Sequence, residues 1–320
     1  MKIWPLPHIE IAPLKEQIEN HRVALVTSFP AWNAVKDLLH LPLAVQVEVT
    51  EATCEHWDNL EAAIDPHRAE VLYSVGGGLA SDAGKYLSAR LGLPLVCVPT
   101  ALTVDAFLTW ASGVRRDGCV VYIETKTPDR LLVDFDVLKA APVPLRAAGI
   151  TDVLSIATGL WDWKFAEGRH QNPPQMAYLP WAAAVAEMIL ESALDCAEAA
   201  GRGDPAGLKQ LLDCLCMEVQ LCNQIGHARP EEGSEHYFAY AVENLVGKGL
   251  PHGDLVGPGI LLMAERQGQD PVRLESALRT CHIPLDRIPP PRIAETLRIL
   301  PAYVRTHHLP YGIAHEFGDS

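Results

Sequence analysis

No apolar run in this 320-residue chain approaches the roughly 20 residues of a membrane-spanning helix, because polar residues interrupt every hydrophobic stretch. No low-complexity tract and no repeat at the usual periods is present. Basic residues are scarce. Lys and Arg number 26 against 40 Asp and Glu, and the net charge of −14 argues against the basic face that a nucleic-acid groove requires. The eight cysteines contain no C-x-x-C spacing, and a reducing, cytoplasmic setting fits them best. Cys214 and Cys222 share a helix face as small core residues. The opening "MKIWPLPHIEIAPLKEQ", with three prolines and early acids, is a poor signal peptide. What remains is 48% hydrophobic and 21% charged, the composition of a soluble globular protein with an acidic, solvated surface.

The chain changes character near Pro142–Pro144. Before that point, short apolar runs alternate with helical segments: "RVALVTSF" (22–29), "LAVQVEV" (43–49), "AEVLYSVG" and "LPLVCVPT" read as strands. Helices are expected around 32–39 and 79–91. Strand, helix, strand, helix is the pattern of a parallel doubly wound sheet. "GVRRDGCVVYIET" reads as a hairpin turning at Asp117-Gly118, and "RLLVDFDVL" as one more strand. From about Leu145 the apolar residues recur at helical spacing, longest in "MAYLPWAAAVAEMILESALDCAEAA", with "GRGDPAG" and "HIPLDRIPPPR" as breaks. The expected architecture is an α/β N-terminal nucleotide-binding domain over 1–143 followed by an all-α C-terminal domain over 144–320.

Within "VLYSVGGGLASDAGKYLSAR", Gly76, Gly77 and Gly78 stand between a strand and a helix. At the carboxyl end of a parallel strand, glycine lets a diphosphate approach the backbone, and the free N–H groups of the next helix attract the anion. A bare triple glycine is equally compatible with a simple tight turn, and the spacing is not G-x-G-x-x-G. Asp152 reads by itself as a helix N-cap. His236 lies on a helix, and His252 between Pro251 and Gly253 begins another. Each has an ordinary structural explanation.

Taken together, these stretches are similar to the iron-containing alcohol dehydrogenase and dehydroquinate synthase superfamily. "GGGLASDAGKYLSARLGLPLVCVPTALTVDAF" resembles its nucleotide-binding stretch. The resemblance implies that Gly76, Gly77 and Gly78 cradle the diphosphate of NAD or NADP. It implies that Asp82 and Lys85 form the recurring Asp-x-x-Lys pair, that Pro99, Thr100 and Thr103 line the cofactor, and that Asp105 reaches toward substrate. It further implies that Asp152, His236 and His252 hold one divalent metal. One carboxylate and two neutral imidazoles leave such an ion positively charged, with open positions for a substrate oxygen. Catalysis would then rest on Asp105, Asp152, His236 and His252. Zinc stands ahead of iron, because a His one turn after Asp152 would favour iron and Ile156 is there instead.

The branch that the chain most resembles is that of the glycerol-1-phosphate dehydrogenases. The resemblance is carried by "RLLVDFDVLKAAPVPLRAAGITDVLS", by "WDWKFAEG" with Asp162, Trp163 and Lys164, and by "HARPEEGSEH" with Arg229, Gly233, Ser234, Glu235 and His236. It implies oxidation and reduction of a small polyol phosphate, sn-glycerol-1-phosphate and dihydroxyacetone phosphate, with Arg229 assisting the phosphate. Four residues differ from the usual pattern: Leu79 after the glycines, Ala228 for Ser, Glu232 for a small residue, and Tyr240 for a second His. Glu231 and Glu232 add negative charge that a phosphate dianion would oppose. Alternatives are a dehydrogenase of an unphosphorylated polyol such as glycerol, a dehydroquinate synthase-like lyase, and an NAD-binding protein without catalysis. "VDAFLTWASG" lacks the synthase lysine, and a mere binder has no need of a metal. "VTSFPAW" offers no acid to select NAD over NADP. Small-molecule substrate, no nucleic acid and no membrane span complete the expectation, with a homo-oligomer allowed.

Overall fold

The structure, a computed structural model, describes residues 2–247 and 249–318. Two compact units emerge: Trp4–Arg146, and Ala147–Ser320 together with Met1–Ile3. No helix among the described residues is long and apolar enough to cross a membrane.

The first unit is built on a six-stranded sheet in the order β1-β8-β5-β4-β2-β3, parallel at every pairing. The strands are β1 (His8–Ile11), β2 (Val23–Thr27), β3 (Leu43–Glu48), β4 (Val71–Gly76), β5 (Leu95–Pro99) and β8 (Arg130–Val133). β6 (Ala111–Arg116) and β7 (Cys119–Glu124) form a separate antiparallel hairpin. The central strands β2, β4 and β5 are buried along their whole length, which explains their unbroken apolar sequence; the edge strand β3 is only partly buried. Leu25, Tyr73, Val75, Val96 and Val98 join Val35, Leu39 and Val137 in one core cluster. The hairpin turns where expected: Asp117 and Gly118 both take positive φ, 53° and 77°.

Helices α1 (Phe29–Val35), α2 (Cys54–Ile64), α3 (Gly78–Leu91), α4 (Phe135–Ala140) and α5 (Val143–Arg146) complete this unit. Two expectations need correction. The helix placed at 32–39 begins at Phe29, where Pro30 supplies the fixed φ of a first turn, and ends at Val35. "RLLVDFDVL" is a strand only to Val133. Asp134 then accepts from the backbone N–H groups of Asp136 and Val137 and caps α4.

The second unit contains α6 (Ile150–Leu154), α7 (Ile156–Gly168), α8 (Pro180–Arg202), α9 (Pro205–Ile225), α10 (Ser234–Val246), α11 (His252–Arg266), α12 (Val272–Thr280) and α13 (Pro290–Thr306). The expected break at "GRGDPAG" narrows to two residues. Gly203 ends α8 in the left-handed conformation, and Asp204 caps α9 with Pro205 in its first position. Cys214 is fully buried on α9, and Cys222 on the same helix is half-buried.

Candidate functional site

In the α/β unit, the chain leaves β2 for β3 on one side and returns to β4 on the other. The β2–β4 boundary is therefore where strand order reverses, and ligands of such sheets bind at the carboxyl ends there. β4 ends at Gly76, whose φ of 147° is open to glycine and closed to almost every other residue. Gly76 pairs in register with Pro99, and the Thr100 N–H donates to the Gly76 carbonyl at 3.3 Å. Gly77 is the N-cap of the 14-residue α3 and brings no capping side chain. A Cβ on Gly77 would lie 2.9 Å from Thr103 Oγ1, and one on Gly78 would lie 2.7 Å from a Val104 methyl. Gly76–Gly78, Pro99–Thr100 and Thr103 thus meet around a helix start whose first N–H groups have no side-chain cap, and this fits an anionic diphosphate.

Asp82 and Lys85 serve another end. Lys85 is fully buried, pairs with Asp82 at 3.0 Å, donates to Thr109 Oγ1 at 2.8 Å, and donates to the Ala111 carbonyl. Ser112 Oγ donates to the Asp82 carbonyl. Burial pushes the Asp82 carboxyl up against the opposing pull of Lys85. These bonds tie α3 to Thr109 and to the start of the β6–β7 hairpin.

In the helical unit, three first turns bring Asp152, His236 and His252 together. Asp152 is the third residue of α6, His236 the third of α10, and His252 the first of α11. Gly149, not Asp152, occupies the cap position of α6, so the carboxylate is not spent on capping. One donor atom from each residue lies within 4.8 Å of the others. His252 Nε2 stands 3.2 Å from Asp152 Oδ1, and the two imidazole centroids are 5.3 Å apart. Asp152 and His236 are buried and His252 is half-buried. One hard oxygen and two imidazole nitrogens at this spacing fit a divalent cation.

Helix N-termini carry partial positive charge, which opposes a cation. Nearby carboxylates act against that charge. Glu235 Oε1 lies 2.9 Å from His236 Nδ1. Glu232 acts electrostatically on both imidazoles, and its Oε1 accepts from the Tyr240 hydroxyl at 2.9 Å. Burial by itself would lower the His236 pKa; the Glu235 hydrogen bond and charge, with Glu232 and Asp152, outweigh it and raise it to about 9. Burial raises the Glu232 carboxyl, with His236 and the Tyr240 hydrogen bond pulling it back.

Beneath the cluster lies Asp162, fully buried on α7. It accepts from the Ser234 N–H at 2.8 Å and the Ser234 hydroxyl at 2.5 Å, and from Gln267 Nε2 and the Ile313 N–H. Burial, with Glu235 adding to it, pushes its pKa up to about 6. Trp163 is buried beside it, whereas Lys164 is exposed. Arg229 is buried too: Nη2 donates to the Tyr311 carbonyl at 2.8 Å and Nη1 to the Tyr237 hydroxyl at 3.4 Å. In this position the guanidinium joins the 311–315 segment to α10, and its buried Nε–H has no hydrogen-bond partner among the described residues.

The family model described as iron-containing alcohol dehydrogenase matches residues 10–142. The glycerol-1-phosphate dehydrogenase [NAD(P)+] of Sulfurisphaera tokodaii is 30% identical over 238 residues, 74% of this chain and 67% of that protein. The chain belongs to the iron-containing alcohol dehydrogenase family. The Pyrococcus abyssi glycerol-1-phosphate dehydrogenase [NAD(P)+] is 28% identical over 279 residues, 86% of this chain and 80% of its own. Among solved structures of like fold, a probable glycerol dehydrogenase from Sinorhizobium meliloti has a TM-score of 0.65 at 18% identity, covering 93% of this chain and 86% of that one. The sulfoacetaldehyde reductase from Bifidobacterium kashiwanohense, solved in complex with NAD+, has a TM-score of 0.66 at 15% identity, covering 92% and 91%.

Two features of this iron-containing alcohol dehydrogenase family member escape a reading of its sequence. Glu235 is visible there only as the neighbour of a histidine, and nothing local announces its bond to His236 Nδ1. The Glu232–Tyr240 hydrogen bond links two positions that differ separately from the family pattern, and only helical spacing across the start of α10 hints at it.

Proposed function

We propose that this chain is a metal-dependent, NAD(P)-linked dehydrogenase of a small polyol phosphate, with sn-glycerol-1-phosphate and dihydroxyacetone phosphate as the substrate pair. The observation that carries the reading is the convergence of Asp152, His236 and His252 from three helix starts onto donor atoms within 4.8 Å. The names of the archaeal relatives support the substrate pair and the cofactor.

Asp152 Oδ, His236 and His252 would hold the cation, with zinc ahead of iron because Ile156 follows Asp152 by one turn. A divalent ion in that donor set supplies the Lewis acidity that lowers the pKa of a carbinol hydroxyl, and NAD(P)+ accepts the hydride. Gly76, Gly77 and Gly78 bring backbone rather than side chains to the diphosphate, with Pro99, Thr100 and Thr103 beside them. Asp105 is the acid that would reach toward substrate. The Glu232, Glu235 and Asp152 carboxylates offset the charge of the ion and of the helix ends. The absence of disulfides among the eight cysteines supports a cytoplasmic setting.

One observation favours a second reading, an unphosphorylated polyol. The Glu232 carboxylate sits close enough to His236 and His252 to influence both, and a phosphate dianion there meets like charge. A steady-state assay of dihydroxyacetone phosphate against dihydroxyacetone, with NADH and NADPH and with zinc or ferrous ion, decides between them. The phosphate ester is expected to have the higher kcat/KM by at least about tenfold, one unit of phosphate recognition on the free-energy scale. Preference for the plain ketone transfers the assignment to the second reading.

A further inference from the structure

His236 has two ring nitrogens, and a metal ligand can use only one of them while the other is fixed by its own hydrogen bond. Here Nδ1 is committed: it lies 2.9 Å from Glu235 Oε1. The carboxylate does not depend on His236 for its position. Oε1 also accepts the Gly233 N–H at 2.6 Å, and Oε2 accepts the hydroxyl of Thr158, on α7, at 2.8 Å. Glu235 and Thr158 are both fully buried, so water does not compete for these bonds. An ionised carboxylate only accepts, so its bond to His236 requires the proton on Nδ1.

We propose that Glu235 is the positioning residue of the Asp152–His236–His252 centre, holding His236 in the Nδ1–H tautomer so that Nε2 is the nitrogen presented to the cation. The inference rests on the reading of those three residues as a metal centre. Charge adds to geometry: a carboxylate behind the imidazole makes Nε2 a stronger donor. Asp162 supplies an internal contrast. It is equally buried and lies in the same cluster, but its acceptor capacity goes to Ser234, Gln267 and Ile313 and none of its hydrogen bonds reaches a ligand. Asp162 braces the fold, whereas Glu235 braces a ligand.

The test is cobalt(II) titration of the metal-stripped full-length protein, read by dissociation constant and by the visible ligand-field spectrum. Glu235→Gln keeps an acceptor but loses the charge, and about tenfold weaker binding is expected. Glu235→Ala loses both and is expected to bind about 100-fold more weakly with an altered spectrum, the range typical of partners behind metal ligands. Thr158→Val leaves Glu235 in place with one anchor fewer, and several-fold weaker binding is expected. Asp162→Asn is expected to lower the melting temperature with the cobalt spectrum unchanged. If the wild type takes up no cobalt, the metal-centre reading itself fails. If the wild type binds and the Glu235 variants bind as tightly with the same spectrum, the metal centre stands and the positioning role is overturned. Should Glu235→Ala fail to fold, Glu235→Gln and Thr158→Val decide, and wild-type affinity and spectrum in both overturns the inference.

Discussion

In the α/β unit the candidate site is made by leaving side chains out, and in the helical unit by burying charged ones. Around the end of β4, three successive glycines beside Thr103 and Val104 leave the backbone of the α3 start open to an anion. Around α6, α10 and α11, Asp152, Glu235 and His236 are buried beside Asp162. A backbone site has no full charge to desolvate, only the uncapped N–H groups of a helix start. A cluster of buried carboxylates is expensive unless every oxygen is used or a cation arrives. The first kind of site tolerates no added bulk; the second tolerates no lost charge or acceptor.

That contrast can be broken by a charge change in the α/β unit that alters cofactor binding, or by a bulk change there that does not. The largest effect is expected from Lys85→Met. It strands the largely buried Asp82 carboxylate, whose side chain is 14% exposed, and removing one partner of a buried pair costs up to about 3–5 kcal/mol. Urea unfolding should show the loss, while NADH affinity of the folded fraction should change by less than about threefold, since the pair is internal. A selective loss of NADH affinity without loss of stability would place the pair at the cofactor.

Next comes the acid sensitivity of the helical unit. Burial, with Arg305 adding to it, lowers the His315 pKa to about 4, against about 6.5 in an unfolded chain. Between those values the unfolded state binds the extra proton, so this stability is full above pH 6.5 and is lost as pH falls toward 4. Up to about 3 kcal/mol is involved, from 1.36 kcal/mol per pKa unit. Asp162 acts in the opposite sense, since its folded pKa of about 6 means that its ionised form is relieved as pH falls. The His315 share is therefore read by difference: His315→Gln should flatten the fall in urea midpoint between pH 7 and pH 4.5. An unchanged slope contradicts a buried neutral His315.

The smallest effect is expected from Gly77→Val, which puts methyls against Thr103. NADH affinity should drop about 10- to 100-fold, roughly 1.4–2.8 kcal/mol, with cobalt binding by the helical unit unchanged. Fluorescence titration measures the first and absorbance the second. Loss of both together would erase the distinction between the units.

The two sites also differed in how far the sequence disclosed them. The glycine turn lies within a strand–turn–helix stretch, so periodicity and composition located it, as they did the Asp117-Gly118 hairpin. β1 leaves no local signal in the sequence, because its four residues form a strand only by pairing with β8, more than a hundred residues away. "RLLVDFDVL" looked like one strand because Asp134, its cap, sits between apolar residues that serve both elements. Asp82 and Lys85 were legible as a pair, but their burial depends on the hairpin folding over them. For Asp152, His236 and His252 no local signal distinguished ligand from ordinary helix residue, and a family resemblance had to assemble them. Glu235 was in plain view, yet its role depends on Thr158, 77 residues earlier.

The central claim is that His252, from the first turn of α11, completes a metal centre with Asp152 and His236. Metal analysis of His252→Ala beside the wild type, each purified and dialysed against the same trace of zinc, tests it most directly. His252 is half-buried, and none of the buried hydrogen bonds of Asp162 or Glu235 involves it, so folding should survive the change. The account predicts close to one equivalent of metal in the wild type, little in the variant, loss of turnover in parallel, and NADH binding retained in both. Equal metal content with full activity in His252→Ala would contradict it.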